Sequence, residues 1–186
     1  MNLIHKGLKI TALLLLIVFT AKPAASQVYV ADDGYVEFVS SAPLLEFKGT
    51  SNNLTGMIDL DENLVDFYID LNTLDTGINL RNRHMRESYL ETEKYPFAEF
   101  TGSMISEFDV ENMNAQDVSV QGTFTIHGVE KDMEISGTLR KVNEGLQLDA
   151  NWSVLLDDHD IRRPRVVFYE LADEQIVNIS ILLKTD

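Results

Sequence analysis

Apolar and polar residues alternate one by one along most of this chain, and that period constrains the fold more than any other feature. The clearest case is a pair of segments on either side of Gly128. Successive side chains of a β-strand point to opposite faces, so this period predicts two strands, each with one buried face, in an antiparallel hairpin. The apolar face comprises Val118, Val120, Gly122, Phe124, Ile126, Met133, Ile135 and Leu139.

The same alternation predicts strands on both sides of this hairpin. Brief strands are expected at Tyr35–Val39 and Leu45–Lys48, broken by Pro43, with a turn-rich link at Gly49–Asn53. The other expected strands are Leu54–Leu60, Leu64–Leu71, Ala98–Met104, Leu146–Leu156, Arg165–Glu170 and Gln175–Lys184. A sandwich and a barrel both fit this pattern. Eight or more antiparallel strands with large inward aromatic residues favour an all-β fold, a closed barrel with a small interior cavity.

One long segment, Asp70–Phe100, does not alternate. Its middle, Asn82–Glu93, places Met85 and Tyr89 four residues apart with charged residues on the other faces, which predicts a short amphipathic helix. Pro96 is expected to end that helix. A helical insertion between two strands covers an open end or an edge of a sheet, so we expect a binding mouth there. The sequence is compatible with a movable gate and with a plug that only closes the core.

The first 26 residues have the features of a secretory signal peptide. Lys6 and Lys9 form a basic start, Ile10–Phe19 is an apolar core too short to cross a bilayer, and Ala24-Ala25-Ser26 is a small-residue cleavage site. We therefore expect one mature domain, residues 27–186, in the periplasm or secreted. The chain has no cysteine, so neither a lipid anchor at the cleavage site nor a disulfide is expected.

The mature chain is strongly acidic. The sequence has 15 basic and 30 acidic residues, and removal of the three lysines of the signal peptide leaves 12 basic residues and a net charge of −18. Such a surface repels nucleic acid and anionic membrane faces, so no nucleic-acid partner is expected. No membrane span is expected after signal cleavage. A monomer and a homodimer both remain open.

The sequence contains no enzyme signature. It lacks a GxSxG elbow, an HExxH pair, a phosphate loop and a dinucleotide fingerprint. His84, His127 and His159 stand singly, so neither a metal nor a cofactor is predicted. His127 is expected to be a turn residue with a satisfied side chain. A solvated acidic turn is expected around His159, formed by Asp157, Asp158 and Asp160.

A basic cluster stands out in this acidic chain at the predicted start of the helix. It comprises Arg81, Arg83, His84 and Arg86. Beside an apolar cavity, such a cluster would hold the anionic head of an amphiphile whose tail lies inside. The alternative is a solvated helix face on which the arginines pair with Glu87, Glu91 and Glu93.

Two blocks carry a resemblance to a known family. They are LNTLDTGINLRNRHMRESYLETEKYPFAEFTG, Leu71–Gly102, and GTFTIHGVEKDMEI, Gly122–Ile135; a weaker match is Ile161 and Pro164 followed by a final apolar strand. On these blocks the mature chain resembles the YceI-like proteins, a polyisoprenoid-binding, lipocalin-like family of exported bacterial proteins. The chain departs from the usual family pattern at Asn82 and Arg83 and at Tyr89 and Leu90, so the resemblance does not name the lipid.

The resemblance implies an extended, lipocalin-like antiparallel barrel whose apolar tunnel holds a long isoprenoid or related amphiphilic lipid, without known catalysis in the family. It predicts a periplasmic carrier or sequestering protein, with the inward rows as tunnel wall. Two alternatives stay open: a stress-response or structural module that acts through its acidic surface, and a small hydrolase or isomerase that uses His84 or His159. The predicted ligand-binding residues are Phe38, Phe47, Ile58, Phe67, Ile69, Leu71, Arg81, His84, Met85, Arg86, Tyr89, Phe100, Phe124, Ile126 and Trp152.

Overall fold

The structure is a computed structural model that describes residues 27–43, 45–162 and 171–185. Two sequence expectations lie outside these residues: the signal peptide, residues 1–26, and the strand expected at Arg165–Glu170. In the described segments, no helix combines the length and the hydrophobicity that a membrane crossing requires.

Eight antiparallel strands close into a barrel in the described part of the chain, which confirms the predicted fold class. Each strand pairs with the next along the chain, and β8 pairs back with β1. The strands are β1 Val28–Ala42, β2 Leu45–Asp59, β3 Leu64–Asp70, β4 Phe97–Met104, β5 Gln116–Ile126, β6 Val129–Val142, β7 Gly145–Leu155 and β8 Glu174–Thr185. Because consecutive strands are antiparallel, the β1–β2 turn, the β3–β4 insertion and the β5–β6 turn all lie at one end, called the cap end here.

The first two strands are longer than the sequence predicted, and the turn expected at Gly49–Asn53 is wrong. That segment lies inside β2 and pairs with β1. Gly49 faces the barrel, where the ring of Phe38 on β1 occupies the space that a side chain would take. Ser51 is buried, and its hydroxyl forms a 2.7 Å hydrogen bond with that of Thr73. Tertiary pairing therefore stabilises as strand a segment whose residues locally favour a turn.

The predicted inward rows are confirmed on β3 to β7, where their residues are buried or half-buried. At the end opposite the cap end, Leu139, Leu146 and Leu183 are completely buried and close the barrel. Leu156 continues the row of β7, but it begins a 3₁₀ turn, Leu156–His159, rather than ending the strand.

The insertion contains helix α1, Asn79–His84, followed by a π-helical turn, Met85–Tyr89. It therefore begins before Asn82 and ends at Tyr89, so the expectation that Pro96 ends the helix is wrong. The amide of Leu90 donates to the carbonyl of Met85 at 2.8 Å, and the backbone of Glu91 then takes a left-handed conformation, with φ of 47°. The wider turn brings Met85, Tyr89 and Leu90 to the barrel interior.

A buried amide ties this insertion to the barrel. Oδ1 of Asn82 accepts hydrogen bonds from the amide (2.8 Å) and the hydroxyl (2.6 Å) of Thr76, and its Nδ2 donates to Asp75 at 2.7 Å. The backbone of Asp75 pairs in turn with Thr50 of β2. The hydrogen bond from Asn82 is the largest cause that lowers the pKa of the Asp75 carboxyl. The insertion is thus attached by polar contacts as well as by a small apolar face.

We expect Asn82→Ala to loosen the insertion without affecting the barrel. The substitution leaves the Thr76 amide without its acceptor, at a cost of about 1–3 kcal/mol. In the unsubstituted protein we expect faster amide hydrogen exchange in Asn79–Lys94 than in Val118–Leu139, because the short helical segment has little apolar area to anchor it. The substitution should raise exchange in Asn79–Lys94 further and leave exchange in Val118–Leu139 unchanged. Asn79→Ala, an exposed change in the same helix, is the control. Equal protection of both segments in the unsubstituted protein would identify the insertion as a rigid plug.

Candidate functional site

An apolar cavity opens inside the cap end of the barrel, beneath the insertion. It encloses about 1100 Å³ of empty space, including the part that opens to solvent. Side chains of β1 to β5, β7 and β8 form its wall, and Met85, Tyr89 and Leu90 of the insertion cover it. The insertion therefore covers an open end of the barrel, as the sequence predicted.

Twelve of the fifteen predicted ligand-binding residues line this cavity: Phe38, Phe47, Phe67, Ile69, Leu71, Arg81, Met85, Tyr89, Phe100, Phe124, Ile126 and Trp152. Ile58 lines a second, deeper cavity instead. His84 is exposed and lines neither. Arg86 also lines neither, because its Nη2 turns inward and donates to the carbonyl of Leu74 at 2.9 Å. The structure thus removes His84 and Arg86 from the wall but leaves the role of the twelve as a prediction.

Several wall residues were not among the predicted ligand-binding residues. Val154 lies in a predicted inward row, and Val177 lies on a predicted strand, where alternation alone would have found it. Gln175 gave no such signal, because a polar residue at the start of a strand usually faces solvent. It is buried, and its Nε2 donates to the carbonyl of Ala172 (2.6 Å) and to the hydroxyl of Ser40 (3.2 Å). These hydrogen bonds explain how an amide is accommodated in an apolar wall.

The cavity exists because aromatic rings lie over glycines of neighbouring strands. Phe38 stands opposite Gly49, and Phe67 stands opposite Gly56. A Cβ atom at either glycine would lie 2.3 Å from Cε1 of the facing ring. Each ring therefore occupies the space of a missing side chain next to the wall, which leaves more free space towards the barrel axis.

A single arginine stands at the cavity wall near the insertion. The guanidinium of Arg81 lies over the ring of Phe47, 4.4 Å from its centroid, which is a cation–π contact. The alternative in which the arginines pair with Glu87, Glu91 and Glu93 is wrong, because no such ion pair forms between these described residues. Glu91 instead contacts Nε2 of His127 at 2.8 Å. The charge of Arg81 is thus available to a ligand in the cavity.

The half-buried His127 and the buried His159 lie at the rim of the barrel rather than in the cavity. Nδ1 of His127 donates to the carbonyl of His159 at 3.1 Å, so His127 is the satisfied turn residue that was predicted. Nδ1 of His159 donates to the carbonyl of Val129 at 3.1 Å, and its ring packs edge-on against Phe124. Burial is the main cause that lowers the pKa of His159. Neither His84 nor His159 lines either cavity, so the convergence that a hydrolase or isomerase requires is not formed there.

Comparison with known proteins gives consistent results. The family model described as the YceI-like domain matches residues 19–183. A curated UPF0312 protein of Photorhabdus laumondii is 31% identical over 97 residues, which are 49% of this chain and 47% of that protein. The aligned segment thus spans about half the length of that relative.

Solved structures with the same fold include a polyisoprenoid binding domain from Saccharophagus degradans implicated in plant cell wall breakdown. Its TM-score is 0.73 at 19% identity, over 87% of this chain and 99% of that one. Burkholderia cenocepacia BcnA has a TM-score of 0.68 at 16% identity, over 82% and 96%. The Campylobacter jejuni YCEI protein has a TM-score of 0.63 at 20% identity, over 78% and 88%. At these identities the likeness establishes the fold.

We expect His159 to make the free energy of unfolding depend on pH between about pH 7.5 and about pH 5.5. Aspartate and glutamate side chains with ordinary pKa values stay ionised over this range, so they contribute little to the change. Because its pKa is lower in the folded than in the unfolded chain, protonation favours unfolding. Its contribution to stability is therefore complete above the unfolded value of about 6.5 and is lost as the pH falls towards the folded pKa. As the pH is lowered from about 7.5 to about 5.5, the free energy of unfolding, measured with urea, should decrease less in His159→Gln than in the unsubstituted protein. An equal slope in His159→Gln and in the unsubstituted protein would contradict the assignment.

Proposed function

This chain belongs to the YceI-like family, and we propose that it binds a long-chain isoprenoid or a related amphiphilic lipid inside the barrel. The observation that carries the proposal is the apolar cavity at the cap end, in which the centre of a water-sized sphere can occupy about 170 Å³. Protein interiors are normally packed as densely as organic crystals, with few voids larger than a water molecule, so an apolar cavity that holds several such spheres is typical of a ligand site. The same barrel fold in a polyisoprenoid binding domain supports an isoprenoid as the ligand.

The arrangement of the wall favours one orientation of the proposed lipid. Aromatic and aliphatic side chains surround the cavity towards the barrel centre, while Arg81 stands beside Phe47 and the insertion. An apolar tail would lie along the barrel axis, and an anionic or strongly polar head would lie against the guanidinium. Of the four basic residues that the sequence suggested for a head-group site, Arg81 is the one that lines the cavity, so we assign the head group to Arg81.

We propose a carrier or sequestering role in the periplasm or outside the cell, with no catalytic step. The basis for export is the signal-like segment before Gln27, and N-terminal sequencing of exported protein would test it. Extraction of a long apolar chain from water into the barrel is favourable by itself, so binding needs no energy source. The alternative of a module that acts only through its acidic surface has no use for this cavity.

We expect the delipidated protein to bind geranylgeraniol with a saturable change in the fluorescence of Trp152, the only tryptophan and part of the cavity wall. Burial of several hundred Å² of tail at about 25 cal/mol per Å² outweighs the costs of association. Phe124→Asp places a charge in the wall and should weaken binding more than about tenfold. Phe97→Asp, on the exposed face of β4, should bind normally. No saturable response to any isoprenoid, fatty acid or phospholipid would refute the proposal.

A second titration tests the head-group site by comparing geranylgeranyl phosphate, which has an anionic head, with geranylgeraniol, which does not. Arg81→Ala should weaken the phosphate about tenfold, because one charge-assisted contact is lost, and leave the alcohol nearly unchanged. Arg83→Ala removes an exposed charge from the same helix and serves as the matched control. Equal losses for phosphate and alcohol would place the head elsewhere.

A further inference from the structure

We propose that three side chains, Phe67, Phe100 and Trp152, form a waist across the barrel that sets the length of tail the protein accepts. This inference rests on the proposed lipid binding and goes beyond it, because it assigns chain-length specificity to named residues. The waist lies between the cavity at the cap end, called the upper cavity here, and a second one, called the lower cavity.

The lower cavity encloses about 550 Å³ of empty space, including any open part, and its wall is apolar apart from Ser136. Phe67, Phe100 and Trp152 line both cavities, and every other lining residue belongs to only one of them. The two cavities therefore meet at these three side chains.

The order of lining residues along the strands shows that the cavities are stacked along the barrel axis. On β3, Val65 lines the lower cavity and Ile69 the upper one, with Phe67 between them. The same order occurs on β4, where Phe100 separates Met104 from Ala98. On β7, Trp152 separates Ala150 from Val154. Since inward residues alternate along a strand, the three side chains occupy one level of the barrel.

The position of one waist ring depends on a missing side chain. Phe67 stands opposite Gly56, and its Cε1 and Cδ1 lie 2.3 and 2.4 Å from the place of a Cβ atom there. The ring is therefore withdrawn as far towards β2 as a glycine allows. A methyl group at Gly56 would push the ring towards the centre and narrow the waist.

A tail that stops in the upper cavity makes all its contacts without moving the waist. A longer tail reaches the lower cavity only by displacing at least one of the three side chains, which offsets the gain from further burial. Affinity should therefore rise with each added isoprene unit until the tail reaches the waist, and then level off.

The test is a series of all-trans prenols, from two to eight isoprene units, titrated into delipidated protein and followed by native mass spectrometry. Phe67→Leu opens the waist, and the levelling-off should move to longer prenols. Gly56→Ala narrows it, and the levelling-off should move to shorter ones, with the longest prenol weakened about tenfold and the shortest little affected. Phe100→Leu is a second opening variant, and thermal unfolding confirms that each protein is folded.

Gly49→Ala is the matched control, because its methyl group would meet Phe38, which lines the upper cavity alone. It should weaken short and long prenols alike. If the folded variants bind prenols but level off at the same length as the unsubstituted protein, or if Gly49→Ala shifts the length as Gly56→Ala does, the waist is not the determinant and the binding function stands. If the unsubstituted protein binds no prenol, the proposed function fails, and the waist proposal with it.

Discussion

Closure of the sheet by the pairing of β8 with β1 is the constraint on which the rest of the structure depends. Once eight strands are closed, every inward side chain shares one interior of fixed width, just wide enough to be filled or to hold one small ligand. Each of the eight described strands pairs with a neighbour on both sides over at least part of its length, which limits the free edge that could attract another chain. The sizes of the inward residues therefore decide whether this barrel is a solid core or a container.

Those sizes differ sharply between the two ends. At the end opposite the cap end, completely buried leucines such as Leu139, Leu146 and Leu183 close the barrel below the lower cavity, and they supply stability to a chain without disulfides. At the cap end, large rings face glycines, so the wall is apolar and more of the interior stays free. The interior is therefore packed most tightly at one end and least tightly at the other, a gradient that a uniformly packed core does not have.

The insertion over the open end is attached mainly at its edges. Asn82 binds the segment before α1, Thr92 donates to Asn72 at 2.8 Å, and Glu91 contacts His127 on the rim. The insertion's buried apolar side chains are Leu71, Leu74, Met85 and Leu90, of which the last two belong to the helical part and the residue after it. Hydrogen bonds at a rim open at lower cost than a packed core, so we expect this cover to exchange amide hydrogens faster than the strands.

The sequence by itself determined the all-β class, the inward rows, the helical insertion and about half of the cavity wall, because a two-residue period fixes which side chains share a face. It did not determine that Gly49–Asn53 is strand, nor that α1 begins at Asn79 and gives way to a π-helical turn. At Gly49–Asn53 the local preference for a turn competes with pairing to β1, and the pairing prevails. Only the tertiary structure decided that Arg81 faces the cavity while His84 and Arg86 do not, and that the interior is open. An alternating pattern is the same for a filled and an empty barrel; the difference arises where Phe38 and Phe67 meet Gly49 and Gly56 across neighbouring strands.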